Sequence, residues 1–209
     1  MKPPFDHPFR VDPAFVTPIY VSIVKDLEAI QLELGNRIKD IDFKYNNDWG
    51  KSHQISDIEF KSNDIIGCNR FITEIEGHLK NYMAVVGYKF DKYKINESWI
   101  TKFNTGDYGH IHHHGSHDIS GVYYYSTNGK DGDIFFESSS KAMQTSKVFQ
   151  QPRIKVEPSV GKLIMFPSCL EHGVKNNLTD TTRYSISFNI LLGQKGDSDH
   201  WSNLNNKLI

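Results

Sequence analysis

The stretch GHIHHHGSHD, residues 109–118, holds five of the chain's ten histidines. Neutral imidazole binds iron, zinc, copper and nickel, and the residue type alone does not choose among them. Along an extended strand, side chains at i and i+2 project to one side. His112 and His114 can therefore share a cation, with His113 opposite; His110 and His112 have the same spacing, so geometry leaves the register open. The bland alternative is a solvated histidine-rich loop that takes metal adventitiously. A mononuclear site needs a third donor from elsewhere. The segment GKLIMFPSCLEHGV offers His172, which follows an apolar run, Leu163 to Phe166, and a turn at Pro167.

Nine residues beyond His172 begins TTRYSISFNILL, with Arg183 at the eleventh, and it alternates strictly. Arg183, Ser185, Ser187 and Asn189 fall on one side, and Tyr184, Ile186, Phe188 and Ile190 on the other. A polar row in so apolar a strand fits either a wet edge strand or an anion pocket. In the pocket reading, the planar guanidinium matches a carboxylate and the Ser185 hydroxyl adds a donor. A buried arginine is costly without a partner, and a bound diacid would complete it.

These groups need elements to position them. The pattern changes near residue 87. Before it, VKDLEAIQLELGNRIKDI (24–41) carries Leu27, Ile30, Leu34, Ile38 and Ile41 as one helical stripe, weakened at Gly35. NRFITEIEGHLKNYMAVVG (69–87) carries a second, with Ile72, Ile75, Leu79, Tyr82 and Val86; Asn69 is a candidate start and Gly87 a stop. VTPIYVSIV reads as a short strand. After residue 87, strands are expected near 88–94, 98–104, 119–127, 132–137, 153–157, 161–166, 172–176 and 183–192, separated by turn signals. Residues 138–152 read as a long loop of the kind that binds or covers ligands. The predicted class is mainly β, a sandwich or jelly roll with the two helices packed outside. One domain is expected over 1–209: a strand and helical support (1–87), a β core (88–193) and a polar tail (194–209).

Composition narrows the classes. A net charge of -1 gives no reason to expect a nucleic-acid partner. Two cysteines, Cys68 and Cys169, fit a reducing compartment. No secretory leader and no membrane-length apolar run is visible, so a cytoplasmic location is expected. Oligomeric state is not readable.

Taken in order, Trp99, Gly106 seven residues on, His112-His113-His114, SGVYYY, FPSCLEH and RYSISFN resemble the Fe(II)/2-oxoglutarate-dependent oxygenases. The branch is that of the small stand-alone 2-oxoglutarate–Fe(II) oxygenases, and the resemblance covers roughly residues 17 to 192. It implies a double-stranded β-helix. It also fixes the register, since the metal pair there stands six residues before SG, which selects His112 and His114. Most of the wider superfamily has H-x-D; here His114 stands at the carboxylate position. The implied face is His112, His114 and His172, with Asp107 or Asp118 the carboxylates that would otherwise replace one of them.

The resemblance implies iron(II) on these histidines and 2-oxoglutarate as cosubstrate. Arg183, with Ser185, would hold its far carboxylate. Tyr124 is a further carboxylate ligand by the family pattern, and Asn189 a contact to the keto end or the substrate. Asp118 would orient a ligand histidine or stand in a turn; His110, His113 and His117 would lie around the site or at the surface. The implied reaction is oxidative decarboxylation of 2-oxoglutarate to succinate, coupled to C–H oxidation by dioxygen. The substrate would be a small molecule or a peptidyl residue. Rival readings are a three-histidine zinc or cupin-type enzyme that does not use 2-oxoglutarate, and a non-catalytic jelly-roll binding module. The Arg-x-Ser pair has no role in the zinc reading.

Overall fold

Strict alternation along a strand demands a sheet with two unlike faces. The computed structural model, which describes residues 16–45, 50–56, 69–140, 147–148 and 153–195, provides one. In chain order the elements are β1 (Tyr20–Ile23), α1 (Leu27–Ile38), β2 (Phe43–Tyr45), β3 (Gln54–Ser56), α2 (Asn69–Val86), β4 (Lys92–Phe103), β5 (Gly109–His112), β6 (Ile119–Ser126), β7 (Ile134–Glu137), β8 (Arg153–Val156), β9 (Lys162–Pro167), β10 (His172–Val174) and β11 (Arg183–Gly193). The described residues are thus mainly β with two helices. They form a seven-stranded sheet, β1-β9-β6-β11-β4-β3-β2, and a four-stranded sheet, β5-β10-β7-β8. Every strand pairing among them is antiparallel.

The alternation of β11 sorts two cores. On one side Ile186, Phe188 and Ile190 join Tyr123, Leu163 and Met165, and with them Ile30, Leu34 and Ile38 of α1 and Phe71, Ile75 and Leu79 of α2. Burial of these apolar side chains is what holds the helices to the sheet. The second core joins the sheets: Val122, Tyr124, Ile164 and Phe166 of the larger meet Ile134 and Phe136 of the smaller, with Leu170.

Several expectations change in detail. Residues 92–103 are one strand, not two. A bulge explains the apparent break: Glu97 pairs with Asn189 and Ile95 with Ile190, leaving Asn96 as the extra residue. The extra residue reverses the alternation, so Tyr93 and Ile95 share the helix-side core with Ile100. Strands β2, β3 and β5 are not among the expected strands. Helix α1 is shorter than expected, and Val86 of α2 is exposed, while Phe71, His78 and Met83 extend the buried face. Gly35 has a packing reason: a Cβ there would lie 2.7 Å from the Tyr125 hydroxyl. Gly87 ends α2 at φ 75°, and Tyr88 N–H donates to Met83 O at 3.0 Å. The polar tail beyond Lys195, Cys68 and most of the 138–152 loop lie outside the described residues. Among those residues, no helix is long and apolar enough to cross a membrane.

Candidate active site

A cavity of about 280 Å³ lies among the inward residues of β4, β6 and β11 and the facing residues of β5 and β10. His112 and His172 are direct cross-strand partners of β5 and β10. His114 lies two residues beyond the end of β5, so strand parity alone does not place it. Its backbone N–H donates to Ser168 O at 2.7 Å, which ties it to the turn after β9. Each of the three offers one ligand nitrogen, and these atoms all lie within 4.8 Å of one another.

Hydrogen bonds fix two tautomers. His112 Nδ1 lies 2.8 Å from His110 O, and His172 Nδ1 lies 2.9 Å from Leu170 O. A carbonyl only accepts, so each Nδ1 carries the proton and each Nε2 keeps its lone pair. Burial holds all three rings neutral: desolvation, then neighbouring imidazoles, lowers His114 to about 4 and lowers His112; desolvation and His112 push His172 down to about 3. Neutral, tautomer-fixed imidazoles are what a divalent metal requires.

At the closed end, Arg183 is 1% exposed. Its Nη1 donates to Gly132 O at 2.8 Å and Asp131 O at 3.1 Å, and the guanidinium lies 4.1 Å over the Phe103 ring and 5.8 Å from that of Tyr124. Its Nε, also buried, has no hydrogen-bond partner among the described residues. An orphaned guanidinium N–H beside a cavity fits a carboxylate ligand. Gly132 makes this possible: its φ of 105° suits glycine, and a Cβ there would overlap the Lys175 carbonyl oxygen. Ser185 Oγ is 2.6 Å from Thr101 Oγ1, and buried Tyr124, its phenol pushed up to about 12 by desolvation, lines the same space.

Other residues singled out in the sequence are engaged elsewhere by the fold. Asp118 does not touch a ligand histidine; its Oδ2 accepts from Leu192 N–H at 2.7 Å. Asp107 instead closes a turn, accepting from Asn104 N–H at 2.8 Å. His110 and His113 are not in the triad; His110 packs edge-on against Tyr108. Asn189 lines the cavity but is engaged internally, accepting from Ser120 Oγ at 2.7 Å and donating to Glu97 Oε2 at 3.1 Å. Glu97, Thr101 and His53 were missed. His53 stacks on Phe103 at 4.7 Å, and no sequence signal points to it because it arrives through the short strand β3.

Residues 97–189 match the family model described as "Putative 2OG-Fe(II) oxygenase". The match covers less than half of the chain, and over that segment the chain is similar to the 2OG-Fe(II) oxygenases. The matched segment contains the three histidines, Tyr124, Arg183, Ser185 and Asn189. Solved structures with the same fold include the non-heme alpha ketoglutarate dependent epimerase SnoN from nogalamycin biosynthesis (TM-score 0.61, 12% identity, 92% of this chain and 88% of that one). A Pseudomonas putida prolyl-4-hydroxylase is similar at TM-score 0.56 and 11% identity, over 86% and 94% of the two chains. HygX from Streptomyces hygroscopicus, solved with nickel, 2-oxoglutarate and hygromycin B bound, is similar at TM-score 0.57 and 13% identity, over 86% and 84%. At these identities the likeness is one of fold. No curated protein matches the chain significantly.

Proposed function

We propose that the chain is an iron(II)- and 2-oxoglutarate-dependent hydroxylase, a single oxygenase domain over 1–209 whose two sheets make a double-stranded β-helix. His112, His114 and His172 hold the iron, and Arg183 with Ser185 and Tyr124 holds the 2-oxoglutarate. One observation carries this reading: three imidazoles from distant segments and a buried arginine with an unsatisfied N–H line one cavity. Bound iron(II) and 2-oxoglutarate supply oxidation of a substrate C–H by dioxygen, with release of succinate and carbon dioxide.

The chain's own residues bind and orient. His110 O and Leu170 O aim two ligand nitrogens by accepting the Nδ1 protons. Three neutral donors leave the metal's charge uncompensated, which favours a dianionic cosubstrate. Gly132 O and Asp131 O hold the guanidinium on one side, leaving Nε for the carboxylate. Phe103 and Phe166 keep the lining apolar, which strengthens these charged contacts. HygX was solved with 2-oxoglutarate and a small-molecule ligand, and a Trichoplax adhaerens prolyl hydroxylase with a peptide fragment. The substrate here is proposed as a small molecule or a peptidyl residue.

The test is anaerobic purification, addition of iron(II), and succinate release with and without 2-oxoglutarate, together with the visible metal-to-ligand charge-transfer band. His172→Ala is expected to abolish both signals. Arg183→Ala is expected chiefly to weaken 2-oxoglutarate binding; unchanged affinity would overturn the pocket assignment.

A further inference from the structure

The cavity is electrically polarised. Among its lining residues, Arg183 is the one lysine or arginine and Glu97 the one carboxylate. They stand at opposite ends. Phe103 pairs with Arg183, and Glu97 pairs with Asn189, six residues along β11; at about 3.3 Å per residue the two rows are roughly 20 Å apart. The Arg183 end is closed, whereas the Glu97 side chain is 36% exposed, so Glu97 stands at the mouth.

Its carboxylate is anchored by a neutral amide. Oε2 accepts from Asn189 Nδ2 at 3.1 Å, and Asn189, 0% exposed, is itself clamped by Ser120. His117 Nε2 lies 3.7 Å from the same oxygen and 3.0 Å from Asn96 Nδ2. Oε1 makes no hydrogen bond among the described residues. The next inward position of β4 is Trp99, packed 5.6 Å from the His114 ring. A carboxylate followed by an indole on one inner face suits an organic cation.

Resting on the oxygenase reading above, we infer that Glu97 determines substrate specificity and that the substrate carries a cationic nitrogen, a protonated amine or guanidinium, at the end remote from 2-oxoglutarate. Asn189 is then a positioning residue for Glu97.

Zinc-loaded protein, which does not turn over, is first tested for 2-oxoglutarate uptake. It is then titrated with n-butylammonium and n-butylguanidinium and with neutral n-pentanol, following the Trp99 indole N–H by NMR. The cations are expected to bind roughly tenfold more tightly than the alcohol, the scale of one charge-assisted contact. Glu97→Gln is expected to erase the preference and Glu97→Asp to retain part of it. Equal binding, absence of cation binding, or a preference that survives Glu97→Gln overturns the inference. Uptake of 2-oxoglutarate without the preference counts against the mouth assignment alone. The preference without 2-oxoglutarate uptake counts against the oxygenase reading and leaves Glu97 as the cation site.

Discussion

Three clustered imidazoles have an acid cost that can be read in solution. The folded values of His172, about 3, and His114, about 4, lie below an unfolded histidine near 6.5. Between those limits the unfolded chain binds more protons than the folded one, so metal-free stability falls as pH drops from about 7 toward 4. Denaturant midpoints across that range are expected to show the slope, and His172→Asn to flatten it. A midpoint independent of pH would mean that the triad is not buried in the neutral state. At Arg183 the geometry of the fork matters as well as its charge. Arg183→Lys keeps the charge but loses the planar donor set, and is expected to weaken 2-oxoglutarate binding roughly 10- to 100-fold, about 1.5–3 kcal/mol for a charged hydrogen bond. Calorimetry on metal-loaded protein measures this.

At the scale of elements, the strand β6 shows how tightly the site is backed. Gly121 faces the helix side, and a Cβ there would overlap the Phe188 ring. Gly121→Ala is expected to cost about 1–3 kcal/mol by overpacking, read as a lower urea midpoint. A neutral result would show that Phe188 can move aside freely. The bulges belong to this scale too. A second one, between Tyr184 and Ser185 against β6, falls at Tyr125, which shares the helix side with Tyr123 and whose hydroxyl meets Gly35 of α1. A helix-weakening glycine in α1 and a run of three tyrosines in β6 are thus two halves of one contact.

For the whole molecule, the sequence legibly gave the long, periodic pieces and the residues that carry the motifs. Helix faces followed from the spacing of Ile30, Leu34 and Ile38, and of Ile72, Ile75 and Leu79. The triad was legible because a known pattern selected the register that strand parity left open. What stayed hidden was long-range pairing. Glu97, Thr101 and His53 enter the cavity only because β4 lies beside β11 and β3 beside β4. The break between 94 and 98 was misread because Asn96 interrupts the alternation without interrupting the strand. As the proposed metal ligands His112 and His172 lie on the smaller sheet and the proposed cosubstrate ligand Arg183 on the larger, binding of metal and cosubstrate is expected to stabilise the whole chain: about 2.7 kcal/mol for a ligand at a hundred times its dissociation constant. A rise in unfolding temperature with iron(II) and 2-oxoglutarate in wild-type protein, absent in His172→Ala, checks it. Asn96 also gives β4 a counting rule. Removing or adding one residue between it and Phe103 would exchange the lining with the helix-side core, sending Glu97 and Trp99 toward the helices and Ile100 toward the cavity. Chain length can drift by single steps in the turns, but along this ribbon a single step needs a bulge such as that at Asn96 to absorb it.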